Sequence, residues 1–419
     1  MKTLVLGGGI AGLASAYAHM CRGDEVEILE AREGVGLETS FGNGGLMSPS
    51  LCEPWNQPGI SKMMIPALFG GENSMLRIHP KALPSLAFWG LRFLRNSTAQ
   101  RFLEASRADF QLSGYSLKKT MQVVEDNDFD IKLQNNGIMA VIRDKATLDH
   151  TAAIHASFAE FGLQYKVLDK AAAIAQEPQL AHSADDLVGG IFFPDGQRGE
   201  CPMFCTQISG LMTDKGVVLR TGVRVEKILV EKGRATGVVT NHGNIMADRV
   251  IVALGNHAAP VLRTAGIRLG IRPAKGYTIT VPVDAELPKT IMLDIGLHIG
   301  IVPLLHDNCL RIGGGAEFAG MDATFYERYA ERSYANLGQT LPHLVPHLRR
   351  EEQRTWAGMR PVTFDGKPFI GGTKIDNLYV NAGLGHLGWT QGMGAGELLA
   401  DIITGEQSEI DPMPFLPER

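Results

Sequence analysis

The sequence predicts an α/β fold in two domains, and three observations carry the prediction. An apolar run with the texture of a buried strand, Lys2-Thr3-Leu4-Val5-Leu6, passes at once into Gly7-Gly8-Gly9-Ile10-Ala11-Gly12 and then into a small-residue helix from Leu13. A second such run, Glu25-Val26-Glu27-Ile28-Leu29, ends on the acid Glu30. Residues from about 60 to 185 change to longer helical periods, and glycine-dense stretches return near 190 and towards the end of the chain. Strand, glycine turn, helix and strand in that order point to a Rossmann-like parallel sheet. It is expected to be assembled from the discontinuous segments 1–60, 190–265 and 353–419. A second, sheet-based α+β domain that receives the substrate is expected from 61–189 and 266–352.

The opening turn has a physical reading. Gly7, Gly9 and Gly12 spell G-x-G-x-x-G. The first permits the tight turn, the second lets a pyrophosphate approach the backbone, and the third lets helix and strand pack closely. The helix N-terminus offers free N–H groups and a positive dipole end to the phosphates. Glu30 lies 18 residues beyond Gly12, near the spacing of a carboxylate that binds an adenosine ribose hydroxyl. With Ile10 and Ala11 inside the turn, these residues predict a dinucleotide site, and a purely structural turn is the alternative. Ala31 and Arg32 lead into Leu37-Glu38-Thr39-Ser40-Phe41-Gly42-Asn43-Gly44-Gly45, a stretch with little to bury and many backbone donors. Following the ribose-binding acid, it is expected to form the second wall of the cofactor site.

Composition excludes several classes. Hydrophobic residues at 44%, charged residues at 20% and a net charge of −5 describe an ordinary soluble globular protein and argue against a nucleic-acid partner. Five cysteines, at 21, 52, 201, 205 and 309, are odd in number and scattered, which argues for a reducing compartment. Cys201 and Cys205 read as buried thiols, and no metal site is expected. No leader segment and no apolar run of membrane-spanning length is read, so the expected location is cytoplasmic. Leu83 to Leu94 is expected to face the core, with a peripheral contact at the inner face of a membrane as the alternative.

The remaining elements follow from periodicity. Arg101 to Val124 predicts one long helix, Asn136 to Ile142 a turn into a strand, and Leu148 to Phe161 a further helix. Cys201 to Asp214 predicts a helix, followed by strands at Val217 to Arg220 and Val223 to Ile228 and a small meander to Met246. Ala247 to Gly255 predicts a strand that runs into the crevice at Ala253-Leu254-Gly255, where a parallel sheet holds its ligand. Tyr277 to Val281 is a further strand. A glycine-rich helix after Thr390 ends the core, and its positive end, set beside an electron-rich ring, would stabilise negative charge there. Met47, Met63, Met64 and Met75 are expected to fill gaps in core or pocket.

Taken together, the blocks resemble the FAD-dependent D-amino-acid oxidase superfamily, and most closely its bacterial D-amino-acid dehydrogenase branch. They are Leu37-Glu38-Thr39-Ser40 with Asn43, Gly199-Glu200-Cys201, Lys275-Gly276-Tyr277, Arg311-Ile312-Gly313-Gly314, Gly358-Met359-Arg360-Pro361 with Asp365-Gly366, and Leu387-Gly388-Trp389-Thr390. The resemblance implies oxidation of a C–N bond by hydride transfer to flavin N5, giving an imine that is hydrolysed to an oxo acid. It places Gly7, Gly9 and Gly12 on pyrophosphate, Glu30 on ribose and Val225 at the adenine end. Thr39, Ser40, Asn43, Gly44 and Gly45 fall near the flavin, and Gly385, His386, Leu387, Gly388, Trp389 and Thr390 on its pyrimidine side. Gly358 stands where some relatives carry a cysteine that bonds the cofactor, so the FAD is expected to be non-covalent. The implied electron acceptor is a quinone or another redox carrier.

Two departures bear on the substrate. The family's carboxylate-clamping arginine is missing from Val302-Pro303-Leu304-Leu305-His306, and the histidine before Gly388-Trp389 is displaced to His386. Arg311, Arg360, Lys275 and His306 are therefore the candidate replacement cations. Tyr277, His386, Arg360 and Arg311 form the expected catalytic group, with Arg360 also facing the flavin; a solvent-facing strand position is the competing expectation for Arg311. The alternatives are a secondary amine as substrate, a flavin-holding subunit of a larger dehydrogenase, and an NAD(P)-dependent enzyme.

Overall fold

Apolar runs bounded by charged residues or glycine build the first sheet. A computed structural model describes residues 1–62, 67 and 76–419; Met63, Met64 and Met75 lie outside the described residues. The six strands lie in the order Phe369–Gly372, Leu378–Ala382, Arg249–Val252, Lys2–Leu6, Glu25–Leu29 and Val218–Arg220. All neighbours are parallel except the first pair. Leu4, Leu6, Val250 and Val252 pack on one face, and Val5, Ile28 and Ile251 on the other. Burial on both faces explains why these strands read as continuous apolar runs.

Helices Ile10–Cys21, Cys201–Asp214 and Gly388–Thr404 cover the second face. The last of them packs closely because it carries glycine at its contacts. A Cβ on Gly396 would lie 2.4 Å from the Ala14 backbone, and one on Gly394 would lie 2.7 Å from Ser116 Cβ. Ser116 belongs to the long helix Ala99–Asp126, whose start is capped by Thr98. The first face is covered by the meander Val225–Glu231, Arg234–Thr240 and Gly243–Met246.

The second sheet has nine strands. Arg354–Thr363, Ile271–Pro282, Cys309–Phe318, Ile299–Leu304, Ile291–Asp294, Ile138–Ile142, Gly189–Phe193 and Lys166–Asp169 follow in order, and Leu76–Ile78 pairs beside Cys309–Phe318. Two of these, Arg354–Thr363 and most of Gly189–Phe193, come from segments that sequence texture had grouped with the nucleotide domain. Arg354–Thr363 pairs along its length with Ile271–Pro282, so the strand that carries Gly358 and Arg360 belongs to the larger sheet. Its one glycine reads as part of a nucleotide loop, but it clears space for Trp356: a Cβ on Gly358 would lie 2.1 Å from that ring.

Leu83–Arg95 forms the expected helix and buries Leu86, Trp89 and Phe93. Its other face keeps Leu83, Phe88, Leu91 and Leu94 exposed, Phe88 at 73%. No helix among the described residues is long and apolar enough to cross a membrane. Cys201 and Cys205 are buried thiols with Sγ atoms 4.0 Å apart.

Candidate active site

The carboxyl ends of three central strands converge. Gly7 N donates to Leu29 O at 2.8 Å, and Gly7 takes φ +107°, where a Cβ would lie 2.6 Å from Ala253 O. Gly8 N donates to Glu30 Oε2 at 2.6 Å, and Arg32 N to Glu30 Oε1 at 2.8 Å. Glu30 is thus fixed at the crevice edge by two backbone donors. Ser40 Oγ accepts from Ile10 N at 3.2 Å, joining the loop that follows to the first turn of the helix.

One cavity of about 1260 Å³ is lined by Gly7, Gly9, Ile10, Ala11, Glu30, Ala31 and Arg32 from this end, and by Val225 and Ala253 to Gly255 beside them. Thr39, Ser40 and Asn43 to Gly45 form a further wall. Thr39 Oγ1 donates to Met359 O at 2.8 Å, and Asn43 Oδ1 accepts from Gly45 N at 2.8 Å. Gly385 to Thr390 close the opposite side; Trp389 Nε1 donates to Gly199 O at 3.0 Å and Thr390 Oγ1 to Leu46 O at 3.2 Å. Gly12 is the exception among the expected cofactor residues, since it does not line the cavity. A Cβ there would lie 1.9 Å from Gly7 O, so its role is to let the helix touch the turn.

The larger sheet supplies Tyr277, Arg311, Gly358 and Arg360 to the same cavity. Tyr277 stacks on Tyr329 with centroids 4.3 Å apart and planes 5° apart, and burial raises its pKa. Arg311 does not face solvent. It is held by Glu200 at 3.2 Å, Thr280 Oγ1 at 3.2 Å and Asn43 O at 3.1 Å, and Glu200 also pairs with Arg198. Burial lowers the Arg311 pKa to about 10. Arg360 differs in having no carboxylate partner among the described residues. Its Nη1 donates to Gly315 O at 2.7 Å and its Cζ lies 5.6 Å from the Trp55 ring centroid. Burial lowers its pKa to about 10, so it remains a cation at neutral pH.

His386 stacks on Trp55 at 5.6 Å and lines the cavity. Desolvation, and secondly the charge of Arg360, lower its pKa from 6.5 to about 4. A histidine kept neutral in the fold contributes stability that is complete above about pH 6.5. That contribution is lost as pH falls towards 4, because the unfolded chain takes up the proton first. Thermal unfolding followed from pH 7.5 to 4.5 is therefore expected to show a shallower acid decline for His386→Gln than for the parent. Equal slopes in the two proteins would exclude the effect.

Two candidate cations are corrected. Lys275 is wholly buried away from the cavity, among Asp322 Oδ2 at 3.5 Å, Thr324 O at 3.2 Å and Glu317 at 3.9 Å. His306 is exposed in the turn after Ile299–Leu304, because the strand ends before it. Leu304 is buried in the core and Leu305 is exposed in that turn, so neither decides specificity; Val302 is the residue of that stretch that lines the cavity. Sequence reasoning also missed Trp55, Asn256, His298 and Trp356, all on the cavity wall. His298 takes φ +51°, and no periodic signal marks such a turn position.

The donor set fits FAD. The Gly7–Ala11 cradle is closed to side chains at Gly7 and nearly open at Gly9, where a Cβ would meet only Ser40 Oγ at 3.5 Å. Asn256 Oδ1 is a buried acceptor without a partner, while its Nδ2 donates to Met359 O at 2.8 Å. The cavity exceeds the roughly 300–1,000 Å³ of an ordinary small-molecule pocket, leaving room for a second, smaller molecule. Gly7, Gly9 and Glu30 would hold the adenosine and pyrophosphate parts, and Thr39 to Gly45 with Gly385 to Thr390 the flavin. Glu30→Ala is expected to weaken FAD retention roughly tenfold to a hundredfold, since charge-assisted hydrogen bonds contribute about 1.5–3 kcal/mol each. Flavin fluorescence during apoprotein titration measures this.

Comparison with known proteins agrees with this geometry. The family model described as FAD dependent oxidoreductase matches residues 2–402. A protein named D-amino acid dehydrogenase from Allorhizobium ampelinum is 36% identical over 417 residues, covering 98% of this chain and 96% of its own. One of the same name from Methylobacterium nodulans is 36% identical over 414 residues, covering 98% and 97%. Among solved structures, glycine oxidase from Geobacillus kaustophilus superposes with TM-score 0.78 at 20% identity, covering 100% of this chain and 98% of its own. L-proline dehydrogenase from P. horikoshii reaches 0.79 at 18%, covering 100% and 97%. At these identities the structural matches establish the fold.

Proposed function

The chain belongs to the FAD dependent oxidoreductase (DAO) family, and we propose that it oxidises the bond between the α-carbon and the nitrogen of a D-amino acid or closely related amine. The observation that carries the substrate class is Arg360, a buried guanidinium on the cavity wall without an acid to neutralise it among the described residues. Burying an unpaired charge is costly, and a substrate carboxylate relieves that cost with bidentate geometry. The relatives named D-amino acid dehydrogenase, at 36% identity, support the same class.

FAD, when bound, supplies the two-electron acceptor. Arg360 anchors the carboxylate and so fixes the α-carbon. Tyr277, held by its stack on Tyr329 and kept protonated by its raised pKa, donates a second hydrogen bond to the same group. His386 stays neutral and adds no competing charge. The substrate amine loses its extra proton before oxidation, and no side-chain base need touch the α-hydrogen. Water then converts the imine to an oxo acid and ammonia. A quinone or another redox carrier reoxidises the protein, in keeping with relatives named dehydrogenases rather than oxidases.

Anaerobic mixing of the purified yellow protein with a panel of D-amino acids, their L-enantiomers, N-methyl derivatives and proline tests the proposal. Bleaching by D-amino acids is expected, and no bleaching by any amine overturns it.

The acceptor proposal is supported by the exposed stripe Leu83, Phe88, Leu91 and Leu94. Residues 76 to 103 carry Arg77, Lys81, Arg92, Arg95 and Arg101 and no acid, in a chain of net charge −5. Such a basic, apolar helix face suits an anionic lipid surface. Flotation with phosphatidylglycerol vesicles is expected to carry the protein. Phe88→Ser with Leu91→Ser is expected to abolish flotation without affecting substrate bleaching of the flavin.

A further inference from the structure

The cavity extends past Arg360 into an apolar annex. Trp55 links the two: its ring meets Arg360 and His386, each at 5.6 Å, and it packs against the same core cluster that contains Ile78, Trp89, Phe93 and Phe318. Ile60 joins the same cluster, and all six residues line the cavity. Trp89 is held by Nε1 donating to Gly270 O at 3.0 Å; it stacks with Phe93 at 5.0 Å and meets Phe318 at 5.6 Å with the planes tilted by 50°. The acids nearest these residues in sequence are engaged: Glu317, beside Phe318, accepts from the Tyr329 hydroxyl at 2.8 Å, and Glu53 pairs with His155 Nε2 at 3.0 Å, which raises the His155 pKa against the effect of burial.

We infer that the annex receives the substrate side chain and selects large apolar or aromatic amino acids over small, acidic or basic ones. The inference rests on the proposed amino-acid oxidation and names its substrate class. With the carboxylate fixed at Arg360, a side chain directed past Trp55 meets indole, phenyl and branched aliphatic surface. A charged side chain there would lose its hydration, since these six lining residues offer it no ionic partner. Each added methylene in a hydrophobic pocket changes discrimination by about tenfold or more. Leucine- and phenylalanine-type substrates are therefore expected to half-saturate flavin bleaching at roughly tenfold to a hundredfold lower concentration than alanine.

The experiment uses the holoprotein under anaerobic conditions with D-alanine, D-leucine, D-phenylalanine, D-aspartate and D-arginine. In parallel, the flavin spectrum is titrated with unreactive acetate and phenylacetate, which reads binding without turnover. Phenylacetate is expected to bind at least tenfold more tightly than acetate, matching the order among the amino acids. Phe318→Ala is expected to narrow the phenylalanine-to-alanine ratio; should it fail to fold, the parent panel and the carboxylate pair still decide. Equal half-saturation across the panel, or preference for arginine or aspartate, overturns the annex and leaves amino-acid oxidation standing. If no amine bleaches the flavin, both proposals fall.

Discussion

Arg360→Met is expected to keep its flavin and its stability while kcat/KM falls by roughly thirtyfold to several thousandfold. The magnitude follows from truncating one member of a desolvated charge pair, which costs about 2–5 kcal/mol. Stability should move the other way. Arg360 has one backbone partner, Gly315 O at 2.7 Å, and no carboxylate among the described residues. Its lowered pKa reports that the protein around it disfavours the charge. Replacing such a cation with an apolar side chain of similar length is commonly neutral or stabilising. Scanning calorimetry is expected to return an equal or higher Tm, and Arg360→Lys should recover part of the activity, since a point charge lacks the planar fork. A large fall in Tm with activity retained would make Arg360 a structural cation and remove the main support for a carboxylate-bearing substrate.

Gly12→Ala is expected to yield a protein without bound flavin and with a markedly lower Tm. The added methyl would lie 1.9 Å from Gly7 O and 2.9 Å from Gly7 C. These are backbone atoms, so no rotamer change relieves the clash, and helix and turn must separate. Overpacking of a tight site costs about 1–3 kcal/mol and sometimes more. Here the displaced atoms also form the phosphate cradle. Gly210→Ala is the control: it lies in a helix with nothing within 4 Å of its added Cβ, and Ala is favoured over Gly there by about 0.8–1.0 kcal/mol. Flavin absorbance per protein and thermal melts of the two variants separate a local clash from a general intolerance of alanine. A yellow Gly12→Ala protein of normal Tm would refute the packing account.

What the sequence revealed depended on how local the cause was. The opening turn was legible because strand, glycines, helix and acid lie within thirty residues, and each glycine answers a backbone requirement in its own neighbourhood. Arg360 was legible as a candidate because a cation before proline among glycines has few structural uses. Its isolation from acids was not, because that depends on where Glu200 points, and Glu200 is claimed by Arg311 and Arg198. Leu305 and His306 were misjudged because the strand was extended through them. Asp307-Asn308, a turn pair, was the available signal, and Asn308 takes φ +49°. Trp55, Trp89 and Phe318 meet only through pairing of distant strands and helices. Long-range pairing leaves no period in the sequence.

The last helix closes on the first. Gly396 meets Ala14, and Asn381 Nδ2 donates to Ala11 O at 3.2 Å and Ser15 Oγ at 3.0 Å. Residues 11–15 thus wait for residues made more than 360 positions later. At about 5–20 residues per second, the opening helix emerges from the ribosome roughly twenty seconds or more before its partner. During that interval its apolar face depends on chaperones or on transient local packing. Cofactor capture in this architecture therefore waits for residues 381–404, and a chain lacking them would have no completed place for the flavin.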